Sequence, residues 1–208
     1  MALSALFVLL NIMLKTIDVQ AIGPQNSVIG LATVNNFFRH LIGVNENFYN
    51  LSELLGLLPI IMVCGFGVLG IVQMIKRKSL KKVDLDLIIL GVFYVIVICV
   101  YVFFELFIIN YRPILIDGEL EASFPSSHVL LAVCVISTTI IQLNYRIKNK
   151  FLKIFINILL YFVLTVSVIM RCLSGVHWFT DILGGYIISI ALVLFYNVVI
   201  EYIQKKKK

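Results

Sequence analysis

Three short polar clusters interrupt an otherwise strongly apolar chain. They are Arg112-Pro113, Pro125-Ser126-Ser127-His128, and the segment that contains Arg171, His177 and Asp181. An arginine guanidinium offers a planar fork of donors that fits two phosphate oxygens. Serine hydroxyls and the free N–H groups at the start of a helix bind anions, and a histidine beside a carboxylate can act as nucleophile or base. Together, these residue types predict chemistry on a phosphoryl group.

The spacing within the clusters supports this prediction. His177 and Asp181 are four residues apart, so on a helix they share a face and Asp181 can accept a hydrogen bond from one ring nitrogen of His177. That bond would fix the tautomer and leave the second nitrogen free to react. Pro125 suits the first turn of a helix, in which Ser126 and His128 would lie beside unpaired N–H groups. The alternatives are an ordinary serine N-cap and arginines that merely extend to the membrane interface.

The composition excludes a soluble globular domain. Of the 208 residues, 61% are hydrophobic and 13% are charged, and the mean hydropathy is +1.05, which is typical of an integral membrane protein. We predict an all-α, polytopic membrane protein with six transmembrane helices in a single domain, residues 1–208. Apolar stretches of about 20 residues cross a roughly 30 Å hydrocarbon core as helices. The expected spans are residues 2–19, 54–75, 85–109, 126–143, 154–171 and 180–200.

The first apolar segment is shorter than the others and ends at Lys15, so a signal-peptide core is the alternative to a sixth span. It has no basic region before it and no Ala-x-Ala site after Leu14, which favours an uncleaved span that runs to Val19. Residues 23–50 are less apolar, with hydrophobic residues at helical spacing around Asn35 and Arg39. They predict a short amphipathic helix at the membrane surface.

The distribution of cations predicts the orientation. Thirteen of the 17 lysines and arginines fall into three groups beside the spans, and loops rich in these residues stay in the cytoplasm. The groups are Lys76, Arg77, Lys78, Lys81 and Lys82; Arg146, Lys148, Lys150 and Lys153; and Lys205, Lys206, Lys207 and Lys208. With these groups inside the cell, the C-terminus is cytoplasmic and all three polar clusters lie at the outer helix ends in the plasma membrane. The net charge of +6 then follows from topology and anionic headgroups, so we expect membrane lipids as partners and no nucleic acid.

The motifs and their order resemble the three-part signature of the type-2 phosphatidic acid phosphatase superfamily, which also includes vanadium haloperoxidases. That signature is Lys-x6-Arg-Pro, Pro-Ser-Gly-His and Ser-Arg-x5-His-x3-Asp. This chain has Glu105-x6-Arg112-Pro113, Pro125-Ser126-Ser127-His128 and Met170-Arg171-x5-His177-x3-Asp181. The hydropathy pattern extends the similarity over nearly the whole chain and points to the bacterial membrane lipid phosphatases of the superfamily.

The resemblance implies a two-step hydrolysis that needs no metal and no other cofactor. His177 would attack phosphorus to form a phosphohistidine, and Asp181 would orient its ring. His128 would protonate the leaving lipid oxygen and then activate water. The residues implied to bind the phosphate are Arg112, Arg171 and Ser126, with the backbone N–H groups of Ser127 and His128.

Three positions depart from the signature. Ser127 replaces a glycine, Met170 replaces a serine, and Glu105 replaces the lysine. An ionised carboxylate repels phosphate, so Glu105 cannot take over the role of the lysine. Our first interpretation is that Glu105 and Arg112, seven residues apart on one helix face, form an ion pair that positions the arginine. The second is that Glu105 recognises a cationic or hydroxyl-bearing part of the substrate, and the third is a catalytically impaired site.

The leading hypothesis is a lipid phosphatase that hydrolyses a phosphomonoester or a diphosphate at the outer membrane surface. By family analogy the candidate substrates are undecaprenyl diphosphate, phosphatidylglycerol phosphate and phosphatidic acid, and an outward site favours the first because carrier-lipid diphosphate is released there. The alternative is a non-catalytic membrane protein that binds lipid phosphates in the same fold. A haloperoxidase or a transporter fits less well, since the chain is not soluble and its charges gather at one membrane face. Specificity would depend on residues 23–50 and on residues 114–122, a segment that carries Asp117, Glu119 and Glu121.

Overall fold

The computed structural model describes residues 2–206, so Met1 and the predicted cytoplasmic residues Lys207 and Lys208 lie outside it. Within that range the chain forms seven α-helices and no β-strand, which confirms the all-α class. The helices are α1 (Ala2–Thr16), α2 (Ala32–Ile42), α3 (Glu46–Arg77), α4 (Leu85–Leu106), α5 (Ser127–Arg146), α6 (Lys150–Leu173) and α7 (Phe179–Lys206). Single 3-10 turns lie at Pro24–Asn26 and Leu80–Lys82.

Helices α3 to α7 are each long and apolar enough to cross a membrane, and they correspond to five of the six predicted spans. The first helix does not match the expected span over residues 2–19, because it has only 15 residues. That length gives about 22 Å, against a hydrocarbon core of roughly 30 Å. The helix ends at Thr16 because the chain turns at Asp18, which has a φ of 47°. The Asp18 carboxylate accepts the backbone N–H of Thr33 at 2.6 Å and so directs the chain back toward α2.

Other helix bounds also differ from the prediction, and those nearest the polar clusters are the start of α3 and the end of α4. Helix α3 begins at Glu46 rather than near residue 54, because the side chain of Asn45 caps it by accepting the N–H of Phe48 at 3.1 Å. The predicted amphipathic helix in residues 23–50 is therefore the shorter α2, which ends at Gly43 with a φ of 68°. Helix α4 ends at Leu106, three residues before the predicted end at 109.

Helix α5 is the centre of the bundle and packs against α3, α4, α6 and α7. Its apolar side chains join those of α4 and α7 in the largest buried cluster, which includes Leu90, Leu130 and Ile200. The outer surfaces of the bundle remain apolar, and Phe155, Phe162 and Phe195 are exposed on them. This arrangement is expected when hydrocarbon rather than water surrounds the helices.

The bundle has two chemically different ends. At one end, which we call the site end, Arg171 at the close of α6 contacts Glu53 near the start of α3 and His177 just before α7. At the other, the basic end, Arg77 of α3 and Arg146 of α5 both contact Asp84 before α4. The polar clusters thus gather at one end and the cationic groups at the other. That the site end faces outward stays a prediction.

Candidate active site

His177 and Asp181 lie side by side, but they are joined through a third residue. The distance from His177 Nδ1 to Asp181 Oδ2 is 3.9 Å, too long for the direct hydrogen bond that the spacing predicted. The hydroxyl of Ser123 lies between them, 2.9 Å from Nδ1, and donates to Asp181 Oδ2 at 2.5 Å. Since the hydroxyl proton is used on the carboxylate, the ring contact requires a proton on Nδ1. This network leaves the lone pair of His177 on Nε2.

Asp181 is fully buried and positioned by donors from three segments. Its Oδ2 accepts the backbone N–H of Trp178 at 2.9 Å, and its Oδ1 accepts from Asn110 Nδ2 at 3.3 Å. The first bond is half of a capping box, because Asp181 is the third residue of α7 and Trp178 precedes the helix. Its carboxylate is therefore directed toward the backbone N–H of Trp178. In that position it stays 3.9 Å from the His177 ring.

His177 lies in the loop between α6 and α7, and its side chain is only 1% exposed. Burial, with a further contribution from the nearby Arg171 and Arg112 cations, holds the pKa of His177 well below its ordinary value. The imidazole is therefore neutral near pH 7. A neutral ring with its lone pair on Nε2 has the protonation state of a nucleophile.

Arg171 is buried at the end of α6, with 1% of its side chain exposed. One terminal nitrogen donates to His177 Nε2 at 3.2 Å. The other donates to Glu53 Oε1 at 2.8 Å and to Ser52 Oγ at 3.2 Å, while the Nε atom makes no hydrogen bond to residues 2–206. The guanidinium thus lies directly beside Nε2 of His177, the position that the predicted phosphate-binding role requires.

The loop between Arg171 and His177 is pressed against the junction of α2 and α3. The backbone N–H of Asn45 donates to Ser174 O at 3.1 Å. Gly175 has a φ of 68°, and a Cβ placed on it would lie 1.8 Å from the carbonyl oxygen of Gly43. This close approach holds the loop at a fixed distance from the bundle.

His128 in the first turn of α5 faces α3. Its Nε2 lies 3.2 Å from Glu53 Oε2, and its buried Nδ1 has no hydrogen-bond partner in the described chain. The ring fits against α3 because residue 56 is glycine, where a Cβ would be 3.0 Å from the imidazole. Glu53 therefore joins Arg171, which was predicted to bind the phosphate, to His128, which was predicted to protonate the leaving oxygen.

Arg112 approaches the site from the loop after α4. Trp178 Nε1 donates to Tyr111 O at 2.8 Å and so ties this loop to the start of α7. The Arg112 Nε lies 3.0 Å from Glu121 Oε2, in an ion pair whose geometry is not that of a hydrogen bond. The cation is thus brought to the same end as Arg171, with one acidic partner from its own loop.

The ion pair predicted between Glu105 and Arg112 is not formed, and no other ion pair of Glu105 occurs in residues 2–206. The helical spacing argument fails because α4 ends at Leu106, so Arg112 is not on the same helix as Glu105. Glu105 instead lines a small cavity with Ser127 and His177. Its carboxylate therefore lies beside the site, at the position where the signature has lysine.

Ser126 is the N-cap of α5, but its hydroxyl does not cap the helix. The side chain is fully buried, and its Oγ makes no hydrogen bond within the described residues. Pro125 precedes this cap rather than lying in the first turn, and Ser127 and His128 begin the helix. Because their N–H groups are among the first four of α5, they have no partners within the helix. An ordinary serine N-cap is therefore not the role of Ser126.

Five buried polar atoms around His177 and Asp181 lack a hydrogen-bond partner among the described residues, namely Asn110 Oδ1, Arg112 Nε, Ser126 Oγ, His128 Nδ1 and Arg171 Nε. A buried polar group without a hydrogen bond costs about 1–3 kcal/mol, so a group of them in one place fits a site for a ligand or an ordered water. Three of the five, the Ser126 hydroxyl and the two arginine Nε atoms, can donate. The arrangement suits a small polyvalent anion such as phosphate.

The sequence motifs located most of this site and missed four residues. Ser123, Asn110 and Trp178 hold Asp181 and the Arg112 loop, and Glu53 contacts both Arg171 and His128. Of these four residues, only Glu53 could have been suspected from the sequence, because it is a carboxylate at the edge of an apolar stretch, where ionisable residues often have functional roles.

The chain is similar in sequence to a known protein family and in fold to a solved structure. Residues 87–205 match the sequence profile of the PAP2 superfamily. A solved structure, the first transmembrane PAP2-type phosphatidylglycerolphosphate phosphatase from Bacillus subtilis, aligns over 97% of this chain and 96% of that chain, with a TM-score of 0.64 and 20% identity. That likeness shows a shared fold. No curated protein matches the chain in sequence.

Proposed function

Because the chain belongs to the PAP2 superfamily, we propose that it is a membrane-embedded lipid phosphatase whose active site is the His177 cluster. The observation that carries this proposal is the position of His177 Nε2, which bears a lone pair and lies 3.2 Å from the buried guanidinium of Arg171. A nucleophile and a phosphate-binding cation are thus side by side. The unpartnered Ser126 hydroxyl and the first N–H groups of α5 supply further donors to the phosphoryl oxygens.

The proposed reaction has two steps. In the first, His177 Nε2 attacks phosphorus, the bond from phosphorus to the lipid oxygen breaks, and His128 gives a proton to that oxygen. In the second, His128 takes a proton from water, the water oxygen attacks phosphorus, and the phosphorus–nitrogen bond breaks to release phosphate. The bonds of Asp181 to Ser123 and Trp178 keep the His177 ring oriented throughout. Arg112 and Arg171 neutralise charge on the transferred group.

The proposed substrate is a lipid with a terminal phosphate at the membrane surface. The candidates are undecaprenyl diphosphate, phosphatidylglycerol phosphate and phosphatidic acid, and we place the site on the outer face of the plasma membrane. The separation of the cationic groups from the site end supports this orientation. Attachment of a reporter that folds only in the cytoplasm to the C-terminus tests it, and an inactive reporter would reverse the assignment.

The decisive experiment measures phosphate release by the purified full-length protein from the three lipids in detergent micelles. We expect release from at least one lipid and at least about a thousandfold less from His177→Ala. Equal release by the variant would exclude the proposed mechanism. Binding of vanadate without any release by the native protein would instead identify the non-catalytic alternative, for which the carboxylates at positions 53 and 105 provide a physical reason.

A further inference from the structure

Glu53 lies between the two halves of the proposed site. One carboxylate oxygen is 2.8 Å from a terminal nitrogen of Arg171, and the other is 3.2 Å from Nε2 of His128. In the proposed reaction, Arg171 binds a phosphoryl oxygen and His128 binds the leaving oxygen. The carboxylate therefore makes the contacts that two oxygens of the substrate would make.

Of these partners, Arg171 is fixed and Glu53 is able to move. The Arg171 side chain is 1% exposed and is held by His177 and Ser52 as well. The Glu53 side chain is 42% exposed, so much of it is not packed against protein and it can rotate away from the guanidinium. A phosphate that enters the site can thus displace the carboxylate and leave the cation in place.

Carboxylates outnumber arginines around the proposed phosphate position by three to two. Arg112 and Arg171 are each paired with a carboxylate, Glu121 at 3.0 Å and Glu53 at 2.8 Å. A third carboxylate, Glu105, lines the cavity beside His177. Repulsion from these groups grows with each negative charge that the substrate carries.

We infer that Glu53 is a specificity-determining residue whose carboxylate competes with the substrate phosphate for Arg171 and His128, so that the site selects lipid phosphomonoesters over lipid diphosphates. The inference rests on the proposed function. A monoester carries close to two negative charges at pH 7, and its leaving group departs as a neutral alcohol once His128 has protonated the oxygen. A diphosphate carries more charge, and its leaving group is itself an anion beside Glu53. This selection reverses the order of substrates that an outward-facing site alone suggests.

The test uses full-length protein with the His177→Ala substitution, so that no ligand is hydrolysed. Isothermal titration calorimetry measures the affinities of this parent protein and of its Glu53→Gln variant for inorganic phosphate and for pyrophosphate. We expect Glu53→Gln to bind phosphate about tenfold more tightly and pyrophosphate tighter by a larger factor, because a charge at hydrogen-bond distance is removed. Glu46→Gln is the matched control, since it removes the same charge from an exposed position on the same helix, and its affinities should stay within about twofold of the parent.

Two results would overturn the inference: unchanged or weaker phosphate binding by Glu53→Gln, or an equal gain for both ligands. Weaker binding would mean that Glu53 supports the arginine rather than competing with substrate. If Glu53→Gln does not fold, Glu53→Asp, which withdraws the charge by one methylene, must show the same direction of change. In the protein that retains His177, Glu53→Gln should lower the ratio of kcat/KM for phosphatidic acid to kcat/KM for farnesyl diphosphate. Failure of the lipid assay with the native protein would instead reject the proposed function, whatever the titrations show.

Discussion

The two ends of the bundle treat their charged groups in opposite ways. At the basic end Arg146 contacts Asp86, lies 3.7 Å from Asp84, and donates to Gln142 at 2.9 Å and 3.2 Å. Arg77 likewise donates to Asp84 at 2.7 Å. These cations are surrounded by protein acceptors, as groups that hold a structure together should be.

At the site end several buried polar atoms have no hydrogen-bond partner among the described residues. Ser126 Oγ and Arg171 Nε make no hydrogen bond within the described chain, and one terminal nitrogen of Arg171 donates to the half-exposed carboxylate of Glu53. Under the proposed function, satisfied charges fix the helices at one end, while the unpaired polar groups at the other would bind the substrate. Substitutions matched between the two ends should therefore separate stability from activity.

The largest effect is expected when the same change is made to one buried carboxylate at each end. Ser123 and Trp178 both donate to Asp181, and Asp181→Asn places an amide N–H opposite these donors. The His177 tautomer is then no longer fixed, so kcat should fall by about 10³-fold. Asp86→Asn should leave kcat per folded molecule within a few-fold of native, although it lowers stability. Phosphate-release assays with thermal unfolding measure both quantities, and comparable losses of kcat would contradict the division between the ends.

Arginine-to-lysine changes should produce the next largest difference. Arg171→Lys keeps the charge but removes the fork that contacts His177 and Glu53, and we expect kcat/KM to fall by about 10²-fold. Arg146→Lys at the basic end should change kcat/KM by less than about threefold. Steady-state kinetics on the same lipid decide the point, and a tolerated Arg171→Lys would show that the site needs only a point charge.

Arg146→Met tests the other half of the comparison. It removes the guanidinium that contacts Asp86, which is 4% exposed, and should lower the free energy of unfolding by about 2 kcal/mol. Lys148→Met, at an exposed position two residues along, is the control and should cost less than about 0.5 kcal/mol. Denaturant titrations in mild detergent measure both values, and equal values would show that the basic-end network contributes little.

Acid should destabilise the site end through His177. Its folded-state pKa is lowered by burial, so the unfolded chain binds a proton first as the pH falls below about 6.5. Stability due to the neutral ring is complete above that pH and decreases below it, by at most about 1.4 kcal/mol per pH unit for one proton. Unfolding curves at pH 7.5, 6.5 and 5.5 should show this slope in the native protein and a smaller one in His177→Ala. Identical slopes would mean that His177 is not buried as a neutral group.

The smallest effect is expected from Ser126→Ala. Its hydroxyl is buried without a partner, so its removal should leave the melting temperature unchanged or slightly raised. The same change should lower kcat/KM by about fivefold, because one donor to the phosphoryl group is lost. Thr138→Ala is the contrasting variant, since its hydroxyl donates to Cys134 O at 2.8 Å and it should lose stability without losing activity. A loss of stability in Ser126→Ala would assign the hydroxyl a structural role.

The sequence predicted the polar clusters, five spans and the separation of the cations because those properties are local. Hydropathy marks a helix that crosses a membrane, and the order of the spans then decides which helix ends meet. The residues named for the site do converge, as the contact of His177 with Arg171 shows. Their catalytic roles await the assays above.

Long-range contacts were beyond the reach of sequence patterns. Glu53 is 118 residues from Arg171, and the predicted third helix began at residue 54, just beyond this carboxylate. Ser123 was missed because its role depends on where the loop after α4 folds over Asp181. The pairing of Glu105 with Arg112 was predicted wrongly for a similar reason, since it assumed a helix that ends before the arginine.

The five residues between Arg171 and His177 have a consequence for protein engineering. The motif treats them as an interchangeable spacer, but the backbone of Gly43 lies where a side chain at position 175 would have to be. A randomised library over this spacer should therefore retain glycine at one position and vary at others. A label or epitope inserted here would push α2 and α3 away from His177, so insertions are better directed to the exposed turn at Asp117 and Gly118.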